Sequence, residues 1–468
     1  MNASSFFRRG LAAVLSIFLV AGMMFGQTLK NGGVFRNTGN ATYKAVQNYN
    51  TAAGTIMNQG TLSTTTAGGG SGLFVNTNGT TLNGTVHNYI GGGGSGTIVV
   101  ATDITNNHAG ATIDNDSTAG FSTLKVAGAI NTTGGTFTTT RGRVMYDGSG
   151  AQSVLATTYG TLVTDVGGTK TLGATTTVND SLRVDNASTL DVSTFQLDLS
   201  GATNVAQNSG VFTANAGTVL YNGDKAQTMI PAAYKTLTLS GSTSKHVKTS
   251  PGGLSFAASG ALTVSANDTL YVSSGNLDLA TNNPTLTNNE AIKVAGNATF
   301  GSGATTAGSF YYDGSLGQSV GATTYANLVL GNAGTKTFPN GGTVAVTGNY
   351  TINSDAGTRT YTNNTFQFAG TVGTQAVTNL AEAFNIVQFA GGALKTLAGS
   401  AFSANQMDLL GTTAQVTNNV TTVTLANVAG VSLTIASGVE LVNTGTINMN
   451  GDLQNDGFLT NTGTIGVY

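Results

Sequence analysis

The sequence predicts an all-β chain wound as a parallel β-helix, a β-solenoid of stacked coils. Three observations carry this expectation. One unit recurs four times at unequal distances along the 468 residues, the mark of stacked modules that contact only their neighbours. Apolar residues fall in short runs rich in Val, Leu, Ile, Phe and Tyr, and beyond residue 26 no segment carries them at helical spacing over three turns. Charge is scarce, 8% of residues, while Gly, Asn and Thr are abundant. Stacked coils bring equivalent side chains together in columns, where like charges repel and Asn or Thr can bond to their own kind.

Residues 1–26 read as an export signal. Arg8 and Arg9 precede the apolar run Leu11–Ala21, and cleavage is expected near Gly26–Gln27, with Gly22–Met23 as the other site. The run is too short to span a bilayer, and no later one reaches about 18 apolar residues, so no membrane span is expected in the mature chain. Removing Arg8 and Arg9 leaves 16 basic against 20 acidic side chains, a charge of −4. Lys and Arg form no cluster, which excludes nucleic acid as a partner. Cysteine is absent, excluding disulfides, thiolate metal sites and thiol catalysis.

Residues 27–135 form an Asn/Gly/Thr-rich solenoid region, with turn signals roughly every 7–12 residues and short pairs such as Thr97–Val100 between them. Residues 136–400 hold the four copies of the unit. In the first three, Tyr146, Tyr221 and Tyr312 precede Gly148, Gly223 and Gly314 by two residues and Gln152, Gln227 and Gln318 by six. A second Tyr follows at thirteen (Tyr159, Tyr234, Tyr325), and a Lys eleven further on (Lys170, Lys245, Lys336). The fourth copy keeps the pattern with Phe368, Gly370, Gln375, Phe384 and Lys395 and a three-residue insertion.

Between copies, Leu182, Leu190 and Leu197, and again Leu262, Leu270 and Leu277, head alternating pieces that predict three strands per coil. Asp185–Asn186, Asn267–Asp268 and Ser274–Gly275 supply turns. At roughly 23 residues per coil the mature chain makes roughly 19 coils. The one place for a helical turn is Asn379–Phe384. Residues 401–468 return to the style of the N-terminal region and stop without a polar cap, which predicts either a truncated reading frame or an end buried against a partner.

Chemistry is sought and mostly not found. His87, His108 and His246 lack partners at metal spacing. Asp114 and Asp116 lack the Gly and Glu of a calcium loop and read as a turn. Asp147 and Asp313 match across copies, but Asn222 and Ala369 stand at the same place, so no catalytic acid is expected there. No carboxylate pair suits glycoside hydrolysis, and the glycines of Gly91–Gly96 lack the Lys of a phosphate loop. No cofactor, no metal and no enzymatic activity are expected.

The candidates for binding are Tyr146, Tyr159, Lys170, Tyr221, Tyr234, Lys245, Tyr312, Tyr325, Lys336 and Lys395. One reading is a Tyr/Lys ladder shown to a glycan or cell-surface partner. The other is that each Tyr packs under a turn and each Lys snorkels at a corner.

The four units and the repeated Asn-Thr-Gly-Thr-Ile runs at 443–447 and 461–465 resemble the β-helical regions of surface proteins and adhesins of Gram-negative bacteria, similar to autotransporter passengers and filamentous-haemagglutinin-like proteins. The resemblance covers most of residues 27–468 and implies a right-handed helix at the cell surface, secreted and used in adhesion or matrix formation. It carries over no site residues, and residues 401–468 are too few for a translocator barrel. The alternative expectation is a polysaccharide-binding or polysaccharide-degrading lyase or hydrolase, since β-helices host such enzymes. A third, a Thr lattice matched to ice, has only Thr136–Thr140 behind it.

Overall fold

A computed structural model of the chain describes residues 28–468 apart from 32–33, 38–39, 44, 49–54, 59–60, 65–73, 77–84, 91–93, 107–110, 117–121, 202–203, 242–244, 250–252, 302–303, 379–381, 400, 412–414, 420–421 and 427–429. The expected export signal, and His108, lie outside the described residues. Among the described residues the regular structure is strand throughout, with no helix. The residues divide into two compact units, one ending at Gly223 and the other running from Asp224 to Tyr468.

In the first unit the Leu triplet sets out one coil. Leu182, Leu190 and Leu197 lie in the strands Thr176–Asp185, Thr189–Asp191 and Gln196–Leu199. The chain then returns at Val205, which pairs in parallel with Leu182 of the coil before. Asn186 turns the first corner at φ 45°, a conformation that Asn tolerates better than most residues. The second unit repeats the design. Leu262 pairs with Leu286 of the next coil, and Asn267 and Gly275 take the corners at φ 69° and 71°. All six Leu are fully buried, each worth about 2 kcal/mol in apolar area removed from water.

The recurring unit makes a shorter coil. Val144 pairs with Leu162 and Phe310 with Leu328, the same step along the sequence in both copies and a shorter one than from Leu182 to Val205. In the fourth copy Phe366 pairs with Val387, and the three-residue insertion accounts for the longer step. Towards the N-terminus coils lengthen: Leu62 pairs with Ile98, twice the step from Val144 to Leu162. Coil length therefore varies along the chain, and the described residues stack in about 16 turns against the roughly 19 expected. Where a helical turn was expected, Ala383 and Phe384 open the strand Ala383–Phe389.

Parallel register places like residues in columns. Thr55, Thr85, Thr112 and Thr136 stand in four successive coils of the first unit. Thr422, Thr446 and Thr464 do the same in the second. Asn forms ladders at corners: the amide of Asn88 donates to Asn115 at 2.8 Å, that of Asn418 to Asn443 at 2.7 Å, and that of Asn443 to Asn461 at 2.7 Å. Among the described residues no helix is long and apolar enough to cross a membrane.

Candidate functional site

Each copy of the unit occupies a strand, a corner, a second strand and the start of the next coil. Alternation turns its first Tyr inward from the end of a strand, Thr136–Tyr146 in one copy and Thr305–Tyr312 in another. The second Tyr opens the following long strand and also faces inward. Tyr146, Tyr159, Tyr221, Tyr234, Tyr312 and Tyr325 are all fully buried. They therefore stand away from any surface that a glycan or partner touches.

The two hydroxyls of a copy meet. Tyr146 and Tyr159 are 2.9 Å apart, and so are Tyr312 and Tyr325. The residue nine after the first Tyr closes the network with its own backbone. Leu155 N–H donates to the Tyr146 hydroxyl at 2.9 Å, and the Tyr159 hydroxyl donates to Leu155 C=O at 2.7 Å. Gly321 does the same for Tyr312 and Tyr325 at 2.8 and 2.9 Å. In the second copy Tyr234 donates to Ile230 C=O. Burial pushes the Tyr146 and Tyr312 hydroxyls up to about 12, and Tyr159 and Tyr325 also rise.

The Gln ties its corner to the coil before. Gln152 accepts from Gly148 N–H at 2.9 Å and donates to Val126 C=O at 3.0 Å and Gly128 C=O at 2.6 Å. Gln318 repeats this on Gly314, Val294 and Gly296, and Gln375 on Gly370, Val346 and Gly348. The Gly at the corner allows the close approach. A Cβ on Gly148 would stand 2.0 Å from Ala127 C=O, and on Gly314 2.2 Å from Ala295 C=O.

The Lys ties the same corner to the coil after. Lys170 pairs in register with Gln152, Lys336 with Gln318 and Lys395 with Gln375. The Lys170 ammonium donates to Gly148, Gly167 and Gly150 C=O at 2.5, 2.7 and 3.1 Å. Lys336 donates to Gly314 and Gly334 C=O, both at 2.9 Å. Lys395 donates to Gly370 and Ala393 C=O, both at 2.9 Å. All three are fully buried, so they neither face a partner nor snorkel to solvent. Carbonyl oxygens replace water around the charge. Burial lowers all three, with Asp147 and Asp165 opposing the fall at Lys170 and Asp313 and Asp355 at Lys336; Lys395 falls to about 8. Lys245 begins the strand Lys245–Thr249, and its side chain, like that of His246, lies outside the described residues.

The fourth copy loses the hydroxyls. Phe368 stacks on Phe389 at 5.5 Å, and Phe384 tilts against Phe366 at 5.3 Å. A hydroxyl pair reappears one coil earlier, where Tyr350 and Tyr361 meet at 2.7 Å. Beside it Arg359 donates to Gly357 C=O at 2.6 Å and ion-pairs with the buried Glu382. This cluster departs from the repeat, and its residues were not among the sequence candidates. The signal was present, since Tyr350 and Tyr361 are eleven apart and enclose an Arg two residues after a Gly.

The corner tip between Gly and Gln is exposed, and the copies differ there. Leu316 is 79% and Val372 85% exposed there, both two residues after the corner Gly. Asp116 behaves as a turn former: its own N–H donates to Asp114 at 3.0 Å, and its carboxylate accepts from Thr140 and from Arg141 N–H. Among the described residues no three His, Cys, Asp or Glu come together in a way that could hold a metal ion. No protein-family model matches the chain, and neither does any curated protein or solved structure.

Proposed function

We propose that the chain is exported and acts at the cell surface or in an extracellular matrix as a structural, adhesive β-solenoid. The observation that carries this reading is the division of labour between inside and outside. The recurring Tyr, Gln and Lys are spent on holding coils together, and Thr stands in columns outside the core, as at Thr112–Thr136 and Thr446–Thr464. A weakly charged surface of repeated hydroxyl groups suits contact with glycans, whose own surface is hydroxyls at regular spacing. Corner tips such as Leu316 and Val372 add exposed apolar points.

Binding of the purified protein to cell-surface polysaccharides tests the reading. Retention on immobilised glycans, unchanged by Lys336→Met and weakened by Leu316→Asp with Val372→Asp, is the expected result. Release of unsaturated sugars from pectin or alginate overturns it in favour of a lyase.

A further inference from the structure

We propose that copies of the recurring unit are joints of the solenoid, places where one backbone ladder stops, another starts, and the segments on either side part from each other, whether or not the surface is adhesive.

At three copies one ladder gives way to the next. In the first copy Gln152 donates to Val126 and Gly128 C=O, and the strand Ile130–Asn131 begins two residues beyond that Gly. Among the described residues this strand pairs only backwards, with Ile104–Thr105, while Gln152–Val154 pairs only forwards, with Thr169–Leu172. In the third copy Ala298–Phe300, two residues beyond Gly296, pairs only with Leu277–Leu279, and Gln318–Ser319 only with Lys336–Thr337. In the fourth, Tyr350–Ile352, two residues beyond Gly348, pairs only with Thr324–Leu330, and Thr374–Thr378 only with Leu394–Ala398. The break falls at the same place in the unit each time.

Away from the units the ladders run on. Thr189–Asp191 pairs with Thr169–Leu172 before it and with Val211–Thr213 after it. From Thr374 to Asn461 five strands pair in succession. The sheet that does continue past a unit is disturbed as well. Its register shifts between Thr139 and Arg143 just before the first copy, and between Thr306 and Ser309 just before the third.

Side chains bridge what the backbone leaves out. The Gln reaches back across the break, and the Lys pins the first coil of the new ladder to the corner, as Lys170 does on Gly148 C=O. At the third copy Ser319 N–H adds one bond to the Asn297 side chain at 2.7 Å. Coils of a solenoid are coupled only through contacts with their neighbours. An interface that trades a run of backbone bonds for a few side-chain bonds is the weaker one and opens first. The unequal distances between copies follow, since a joint is needed wherever a segment ends, whatever the segment's length.

Amide hydrogen exchange of the full chain at rising urea, below its main transition, resolves the residues that open together. Thr189 and Val211 N–H, within one ladder, are expected to converge on one urea dependence, and Asn419 and Thr444 N–H, within another, on a second. Ile104 N–H, before the first break, is expected to follow a different course from Thr189, and Asn353 N–H, before the last, from Asn419. Gln152→Leu weakens one joint alone. It is expected to speed exchange at least about tenfold, by the same factor at Thr189 and Val211, although Val211 lies in a strand three steps and roughly 14 Å along the stack. Asn419 and Thr444 stay within about threefold of the parent. A parent chain in which Ile104 shares the urea dependence of Thr189, and Asn353 that of Asn419, overturns the proposal. So does a variant in which exchange speeds beside residue 152 and is unchanged at Thr189 and Val211, the mark of a local tie only.

Discussion

Replacing Gln318 by Leu probes the role of the repeat most directly. The two side chains are similar in size, so the change opens little space. It removes three hydrogen bonds: from Gly314 N–H at 2.7 Å, and to Val294 and Gly296 C=O at 2.9 and 2.5 Å. Gln318 is 2% exposed, so no water takes over. Each buried polar group left unpaired costs about 1–3 kcal/mol. Three of them, partly relieved by local movement, give about 4 kcal/mol. A solenoid unfolds by neighbouring modules rather than all at once, so the loss is read locally. Amide hydrogen exchange over residues 310–330 is the assay, and about 4 kcal/mol corresponds to protection falling roughly 10³-fold. Ser319→Ala, on the exposed face beside it, is the control and is expected within about 0.5 kcal/mol of the parent. A loss below about 1 kcal/mol for Gln318→Leu refutes the coil-tie account.

Three further predictions follow from the same network. Tyr312→Phe alone leaves Tyr325 and Gly321 N–H short of a partner and is expected to cost about 1–2 kcal/mol; Tyr312→Phe with Tyr325→Phe costs less than the sum of the singles, as the natural Phe368 and Phe384 imply, and urea unfolding followed by tyrosine fluorescence reads the cycle. The tyrosines also set an alkaline limit: a hydroxyl raised to about 12 when folded, against about 10 when unfolded, contributes stability that is complete below pH 10 and lost as pH rises towards 12, so urea midpoints fall across that window and tyrosinate absorbance from the buried set appears only on unfolding. Lys395 runs the other way, since its folded value of about 8 lies below the unfolded one; its contribution to stability rises between pH 8 and about 10.4, and Lys395→Met removes that slope from the pH dependence of hydrogen exchange around residues 390–400.

Much of the architecture was legible because a parallel coil repeats its demands. Leu at steps of eight and seven predicted three strands per turn, and the pairing of Leu182 with Val205 and Leu262 with Leu286 returns that period. Asn186, Asn267 and Gly275 were readable as corners, since few residues tolerate positive φ. The count of coils was less legible. The step from one coil to the next doubles between Val144–Leu162 and Leu62–Ile98, and loop residues between coils leave no periodic mark.

The candidate site divides in the same way. Composition and spacing were enough to single out Tyr, Gly, Gln, Tyr and Lys as one unit, because a solenoid must solve the same corner each time it uses a short coil. They could not say which way a Lys points. Lys170 and Lys336 sit in pieces that read as polar, and only the fold brings Gly148 and Gly314 C=O, about one coil away in sequence, onto their ammonium groups. A buried charge depends on oxygens contributed by neighbouring coils. Those oxygens belong to the backbone, whose position the side-chain sequence does not spell out. The sequence by itself determined the unit, the inward alternation and the turn residues, which are local choices of period and φ. The tertiary structure alone decided that the Lys is a coil-to-coil tie and that the paired Tyr hydroxyls close on a backbone group nine residues on, because both depend on groups that meet only after the chain has wound.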